Sequence, residues 1–228
     1  MFNFFKRKKM VQPRIIEMTE KFRTHNGCLL CHMENVIVTH YIDGLLYERV
    51  NDGNVRKELA KARGYCPEHA EMLMRTGDAL GNAILYADQL KKLQKDLTKV
   101  HSNSDADRID KWFDHKQCPV CIHKKRYRKN FIEYFVEGLD SEAFRASLEF
   151  GSGLCLKHLS LVLKKIEESE DFQYILKLHR EKYKNLAEEL DEFIRKNDYR
   201  YRDEGFGKER NSWLRAIKTF IGFIPEKY

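Results

Sequence analysis

Gly64-Tyr65-Cys66-Pro67-Glu68-His69 and Gly153-Leu154-Cys155-Leu156-Lys157-His158 are two copies of one device. Each places a C-x-x-H pair just after a glycine stop, where a new helix is expected to open. Each follows a C-x-x-C pair: Cys28-Leu29-Leu30-Cys31 before the first, Cys118-Pro119-Val120-Cys121 before the second. Together the four pairs use all six cysteines. Cys66 lies 35 positions after Cys31, and Cys155 lies 34 after Cys121. The offset between copies is 90 residues from Cys28 to Cys118 and 89 from Cys66 to Cys155, so one deleted residue reconciles them. Clustered thiols and imidazoles at this spacing read as metal sites.

The duplication extends past the ligands. His40-Tyr41-Ile42-Asp43 stands as far from Cys31 as Asn130-Phe131-Ile132-Glu133 stands from Cys121. A unit of this length is a small domain rather than a solenoid repeat.

Helical periodicity surrounds the pairs, and no convincing alternating strand is seen. Pro13 suits a helix start, with Ile15, Met18 and Phe22 on one face. Met33, Val36, His40 and Tyr41 continue after the first pair. Asn51-Asp52-Gly53-Asn54 reads as a turn. Val55, Leu59 and Ala62 mark a short return helix, and Pro67 opens a long one through Leu73, Leu80, Ile84, Leu93 and Leu97. The second copy follows the same plan with Tyr127, Phe131, Tyr134 and Phe135, then Phe144 and Leu148, then Leu159, Val162 and Ile166. A further helix carries Phe172, Leu176, Tyr183, Leu186, Leu190 and Phe193, and a last one Trp213, Ile217 and Phe220.

The expected fold is therefore all-α, with two pseudo-repeated, zinc-stapled helical units and a C-terminal helical extension. Residues 1–27 form a basic tail and first helix, 28–101 the first repeat, 102–117 a linker, 118–168 the second repeat and 169–228 the extension.

Three thiolates and one imidazole fill a tetrahedral shell, so Cys28, Cys31, Cys66, His69, Cys118, Cys121, Cys155 and His158 predict two structural Zn²⁺ ions per chain. Local connection favours closure within each repeat: Cys28 and Cys31 with Cys66 and His69, and Cys118 and Cys121 with Cys155 and His158. The legs differ in length; an extended segment or a bend near Gly44 could close the first unit, but the second has Tyr134 at the matching position. Exchange between repeats is the alternative. An iron–sulfur cluster is the alternative metal centre, and small buried apolar cysteines the plainest reading. Cys28 to His32 also matches the haem-attachment pattern C-x-x-C-H, which the second copy lacks.

A formal charge of +7 permits an anionic partner without requiring one. Lys124, Lys125, Arg126, Arg128 and Lys129 make the densest basic run next to a metal knuckle, a plausible RNA or DNA contact. Arg195, Lys196, Tyr199 and Arg200 interleave aromatic and basic residues, although acidic neighbours blunt the field. Solvated helix faces account for both stretches equally well. Phe2, Phe4 and Phe5 before Lys6 to Lys9 suit either a frayed tail or a weak membrane contact.

No apolar run is long enough to span a bilayer. The N-terminus places aromatics before charges, the reverse of a signal peptide, so a cytoplasmic location is expected, where clustered thiols favour metal over disulfides. There is no Gly-rich phosphate loop, G-x-S-x-G or H-E-x-x-H, so no enzymatic role is expected. His32, His123 and His179 show no partners at helical spacing. Three functions stand open: a zinc-stabilised nucleic-acid module, a protein-interaction or regulatory scaffold, and an iron–sulfur or thiol redox sensor. Partner identity and oligomeric state are not encoded legibly.

With these motifs set out, the chain resembles a family of uncharacterised prokaryotic proteins common in anaerobes. The likeness rests on the duplicated C-x-x-C … G-[FYL]-C-x-x-H half-sites. It rests also on a C-terminal stretch like Phe193-Ile194-Arg195-Lys196-Asn197-Asp198-Tyr199-Arg200, followed by an acidic residue and Ser212-Trp213. The resemblance implies metal binding and supplies no activity. Some relatives carry a transporter substrate-binding label, from which this sequence departs, having neither an export signal nor an α/β pattern.

Overall fold

The computed structural model describes residues 12–222; the aromatic-basic N-terminal stretch lies outside them. Every regular element among the described residues is helical. The chain divides into two compact units, a terminal unit of residues up to 33 and from 129 onward, and a central unit of residues 34–128. Each unit draws on both sequence repeats, and the division falls inside two helices, α2 (Leu29–Gly44) and α7 (Pro119–Gly138).

In the central unit, α2 ends in a π-helical turn, Leu45–Arg49. Arg49 folds back over it, its Nε donating to the Gly44 carbonyl at 3.3 Å and Nη2 to the Tyr41 carbonyl at 3.1 Å. Arg49 thus adds cationic side-chain donors to carbonyls of the last turn of α2. α3 (Gly53–Ala62) starts at Asp52, whose carboxylate accepts from the Asn54 N–H at 2.7 Å. It stops at Arg63 and Gly64, with φ of 58° and 112°.

α4 (Pro67–Arg75) and α5 (Ala79–Leu97) replace the single long helix expected after Pro67. Gly77, at φ 74°, ends the first. Asp78 caps the second by accepting from the Gly81 N–H at 2.8 Å. The Thr76-Gly77-Asp78 stop-and-cap signal was present in the sequence and outweighs the apolar periodicity. Leu80 is exposed and Leu85 buried. The core gathers Val38, Ile42, Leu45, Leu59, Tyr65, Leu73 and Leu85 around Cys118 and Val120. The inward face of α2 is thus Val38 and Ile42, rather than Val36 and His40. After α5 a short helix, α6 (Asp107–Asp110), leads to α7.

In the terminal unit, α1 (Pro13–Thr24) packs on α8 (Glu142–Phe150). Ile15, Met18 and Phe22 are buried as their spacing predicts. The Phe22 ring meets Phe135 at 5.9 Å and Phe144 at 5.7 Å, both edge-on. Burying a side chain of this size contributes about 1.5–3 kcal/mol. Gly151 lies against the α1 backbone, where a Cβ would stand 2.6 Å from the Phe22 carbonyl oxygen. α9 (Leu156–Leu163), α10 (Ser169–Lys196) and α11 (Ser212–Ile221) complete the unit. Trp213, Ile217 and Phe220, expected as the inward face of α11, are all exposed, and Ser212 is buried instead.

The duplication reaches into α5 and α10. One residue inserted after the second half-site returns the offset from 89 to 90, so that Leu85 corresponds to Ile175, Gln89 to His179 and Lys92 to Lys182, and the first two pairs are buried in both copies. The lysines act alike. Lys92 donates to the Ala60 carbonyl, and Lys182 to the carbonyl of its counterpart Glu149 at 2.8 Å.

Candidate metal centres

The first cysteine of each half-site immediately precedes a helix: Cys28 before α2, Cys66 before α4, Cys118 before α7 and Cys155 before α9. The second ligand follows three positions later, on the first turn, facing the same way. Backbone N–H groups and the positive helix end lie where thiolate charge would be.

Two clusters result. The terminal cluster holds Cys28, Cys31, Cys155 and His158, and the central cluster Cys66, His69, Cys118 and Cys121. In each, all four ligand atoms lie within 4.8 Å of one another. Closure within each repeat is therefore corrected: every cluster joins the C-x-x-C of one repeat to the C-x-x-H of the other. The two repeats carry identical half-sites, so ligand chemistry does not choose between the pairings. Chain geometry does. α2 is about 24 Å long and α3 about 15 Å at 1.5 Å per residue, so the return leg is too short to bring a repeat's second half-site back to its first.

In the terminal cluster, Cys31 Sγ is 3.6 Å from Cys155 Sγ, and His158 Nδ1 is 3.4, 3.2 and 3.4 Å from the sulfurs of Cys28, Cys31 and Cys155. In the central cluster, Cys66 Sγ is 3.6 Å from Cys121 Sγ, and His69 Nδ1 is 3.0, 3.6 and 3.4 Å from the sulfurs of Cys66, Cys118 and Cys121. A tetrahedral zinc shell has S–S edges of about 3.8 Å and S–N edges of about 3.6 Å, from its usual bond lengths. The donor atoms fit a single ion of that size.

Without a cation the thiols oppose each other. Burial pushes Cys28 well up, reinforced by the sulfurs of Cys155 and Cys31. Burial likewise raises Cys66 and Cys121. One thiol per cluster goes the other way. Hydrogen bonds from Cys28 and Cys31 hold Cys155 down. At Cys118 burial works upward, but bonds from His69 and from the backbone at Cys66 and Cys121 outweigh it, leaving about 6. A dication would satisfy all three sulfurs of each cluster together.

The segment ahead of Cys155 is held by α10. The Leu154 N–H donates to His179 Nε2 at 2.9 Å, and His179 Nδ1 donates to the Ile175 carbonyl at 2.8 Å. Tyr183 Oη donates to the Leu154 carbonyl at 2.8 Å, and Lys182 Nζ to the Gly151 carbonyl at 2.5 Å. His179, which showed no partner in sequence, is thus a positioning residue. Its hydrogen-bond partners are backbone atoms, invisible to side-chain spacing. Its match to Gln89 at the repeat offset was the available signal.

Much of the basic run is committed elsewhere. Lys124 pairs with Glu68 at 3.2 Å, and Arg128 with the buried Glu34. Arg126 lies over the Tyr127 ring, and Lys125 and Lys129 are exposed. Arg195 pairs with Glu192 and Glu204, Lys196 with Glu209 and Arg200 with Asp198, whereas Tyr199 is exposed.

These clusters sit in a chain that belongs to a family described as of unknown function (DUF6062), matched over residues 10–227. The chain is similar to an uncharacterised 23.9 kDa protein in the xynA 3′ region of Caldicellulosiruptor sp. (strain Rt8B.4). The two are 28% identical over 210 residues, covering 90% of this chain and 99% of the relative. No solved structure gives a significant match. No helix among the described residues is long and apolar enough to cross a membrane.

Proposed function

We propose that each cluster holds one Zn²⁺ ion as a permanent structural staple, and that the chain is a zinc-stabilised helical binding module acting where thiols stay reduced. The observation that carries this is that in each cluster four donor separations fall at 3.0–3.6 Å and all lie within 4.8 Å. Four protein ligands fill a tetrahedral shell and leave no position for a reacting water, which favours structure over hydrolysis. Zinc supplies charge neutralisation for the clustered thiolates; Cys28, Cys31, Cys155 and His158 would hold one ion, and Cys66, His69, Cys118 and Cys121 the other. An iron–sulfur cluster is bulkier than one ion, and donor atoms all within 4.8 Å suit it poorly. Elemental analysis of freshly purified protein tests the reading. Two zinc per chain with a featureless visible spectrum is expected, and iron with visible absorption overturns it.

A nucleic-acid partner is a second reading, favoured by the exposed Lys125, Lys129 and Tyr199. Salt-dependent binding of mixed RNA tests it. Absence of binding at low salt leaves the protein-interaction scaffold in its place.

A further inference from the structure

The duplication supplies an internal control for one cleft. In the terminal unit, α8 is covered by α1: Phe22 packs on Phe144, and its backbone presses on Gly151. In the central unit the counterparts of Phe144 and Gly151 are Val55 and Ala62 on α3. The segment before Cys118 builds no helix like α1 there, only α6 and short 3₁₀ turns. Val55 and Ala62 instead line an open cleft of about 490 Å³. That is within the usual range of a small-ligand site.

The cleft's lining has changed character as well. Phe131, Leu139 and Met33 are buried apolar residues of the terminal unit. Their counterparts Tyr41, Arg49 and His123 line the cleft, joined by Lys61 and Arg126. Arg49 lies over the Tyr41 ring at 5.0 Å, and the Tyr41 and His123 rings meet at 4.7 Å, tilted by 51°. Arg49, Lys61 and Arg126 pair with no carboxylate among the described residues, in contrast to Lys124, Arg128, Arg195 and Arg200. Glu58 is the one acid in the lining.

Aromatic rings beside cations that lack a carboxylate partner can recognise a planar ring attached to an anion. We propose that this cleft binds a nucleotide unit, its base on the Tyr41–His123 rings and its phosphate on Lys61, Arg126 and Arg49. The source is either a free nucleoside phosphate or a single strand. The site does not depend on the 124–129 run as a whole, nor on the identity of the metal.

The test uses the full, zinc-loaded protein with AMP, adenosine, inorganic phosphate and a short adenine oligonucleotide, followed by calorimetry. AMP or the oligonucleotide is expected to bind, with adenosine and phosphate alone weaker by about tenfold or more. Lys61→Gln/Arg126→Gln changes two exposed residues and should weaken binding about tenfold or more, with zinc content and Tm unchanged. AMP binding as tightly as the strand assigns a free nucleotide; a much tighter strand assigns single-stranded nucleic acid. Failure of both to bind at about 1 mM overturns the proposal. So does phosphate competing as well as AMP. Strand binding that survives the double variant overturns the cleft and leaves the basic-run reading standing.

Discussion

Cys31 and Cys155 are 124 positions apart in sequence, yet their sulfurs lie 3.6 Å apart. A staple between such distant points removes more freedom from the unfolded chain than a local one. Both proposed metal sites have this long-range character, so the metal is expected to contribute to the fold as a whole.

The pairing can be read by counting ions. Cys28→Ser/Cys155→Ser alters one cluster and should leave about one zinc per chain, as metal loss follows the damaged ligand set. Cys28→Ser/Cys66→Ser alters both and should leave well under one. Closure within repeats requires the opposite order.

Chelation should unfold rather than merely empty the protein. Structural zinc binding is coupled to folding. A strong chelator is expected to lower Tm and helical circular dichroism together, with zinc restoring both. Full helicity and an unchanged Tm after complete metal removal would show the clusters to be dispensable.

Gly151→Ala tests the α1–α8 contact. The new Cβ would stand 2.6 Å from the Phe22 carbonyl oxygen, a backbone atom that yields only if α1 moves. A cost of about 1–3 kcal/mol is expected, as for overpacking elsewhere. Denaturant unfolding measures it, and zinc content should stay the same.

Gly222→Ala acts on the terminal cluster from outside its ligand set. Gly222 has φ 83° and ψ −150°, a region open to glycine almost alone. Its Cβ would lie 3.1 Å from Cys31 Sγ and 3.7 Å from Cys155 Sγ. Of two zinc ions, one should become easier to extract. Biphasic chelation, with one phase unchanged, is the expected result.

The buried Glu209 predicts an acid-sensitive contribution to stability. Its bond from Lys196 at 2.8 Å, helped by the Gly207 N–H at 2.7 Å, holds its carboxyl down to about 2 from an ordinary 4.5. The unfolded chain therefore takes up the proton first. The contribution is complete above about pH 4.5 and is lost as pH falls toward 2. The Tm advantage of wild type over Glu209→Gln should be constant from pH 7 to 5 and shrink below that. An advantage that grows in acid contradicts the assignment.

All eight cluster residues were legible in the sequence, because their types and three-residue spacing recur twice. Their partnership was not, because identical half-sites fit two pairings and only helix length separates them. Ile15, Met18 and Phe22 were legible from periodicity, since one face of α1 is buried. The break at Gly77 was missed because leucines continue on both sides of it. Arg128 read as a solvent-facing cation because its partner Glu34 is 94 positions away. Pairing of that kind has no local signature. The Tyr41 cleft was hidden for a related reason: it lies on α3, the counterpart of α8, and the helix that covers α8 has no equivalent there, which leaves no mark in composition.

The exchange of half-sites has a consequence for how such a chain can arise. One repeat alone carries a C-x-x-C and a C-x-x-H that belong to different clusters, so by itself it completes neither. Two separate copies would have to meet before either ion could be held, and their assembly would depend on dilution. Covalent duplication turns that encounter into an intramolecular one at high effective concentration. The meeting of half-sites then becomes a first-order step, and the stoichiometry of two copies is written into the gene product itself.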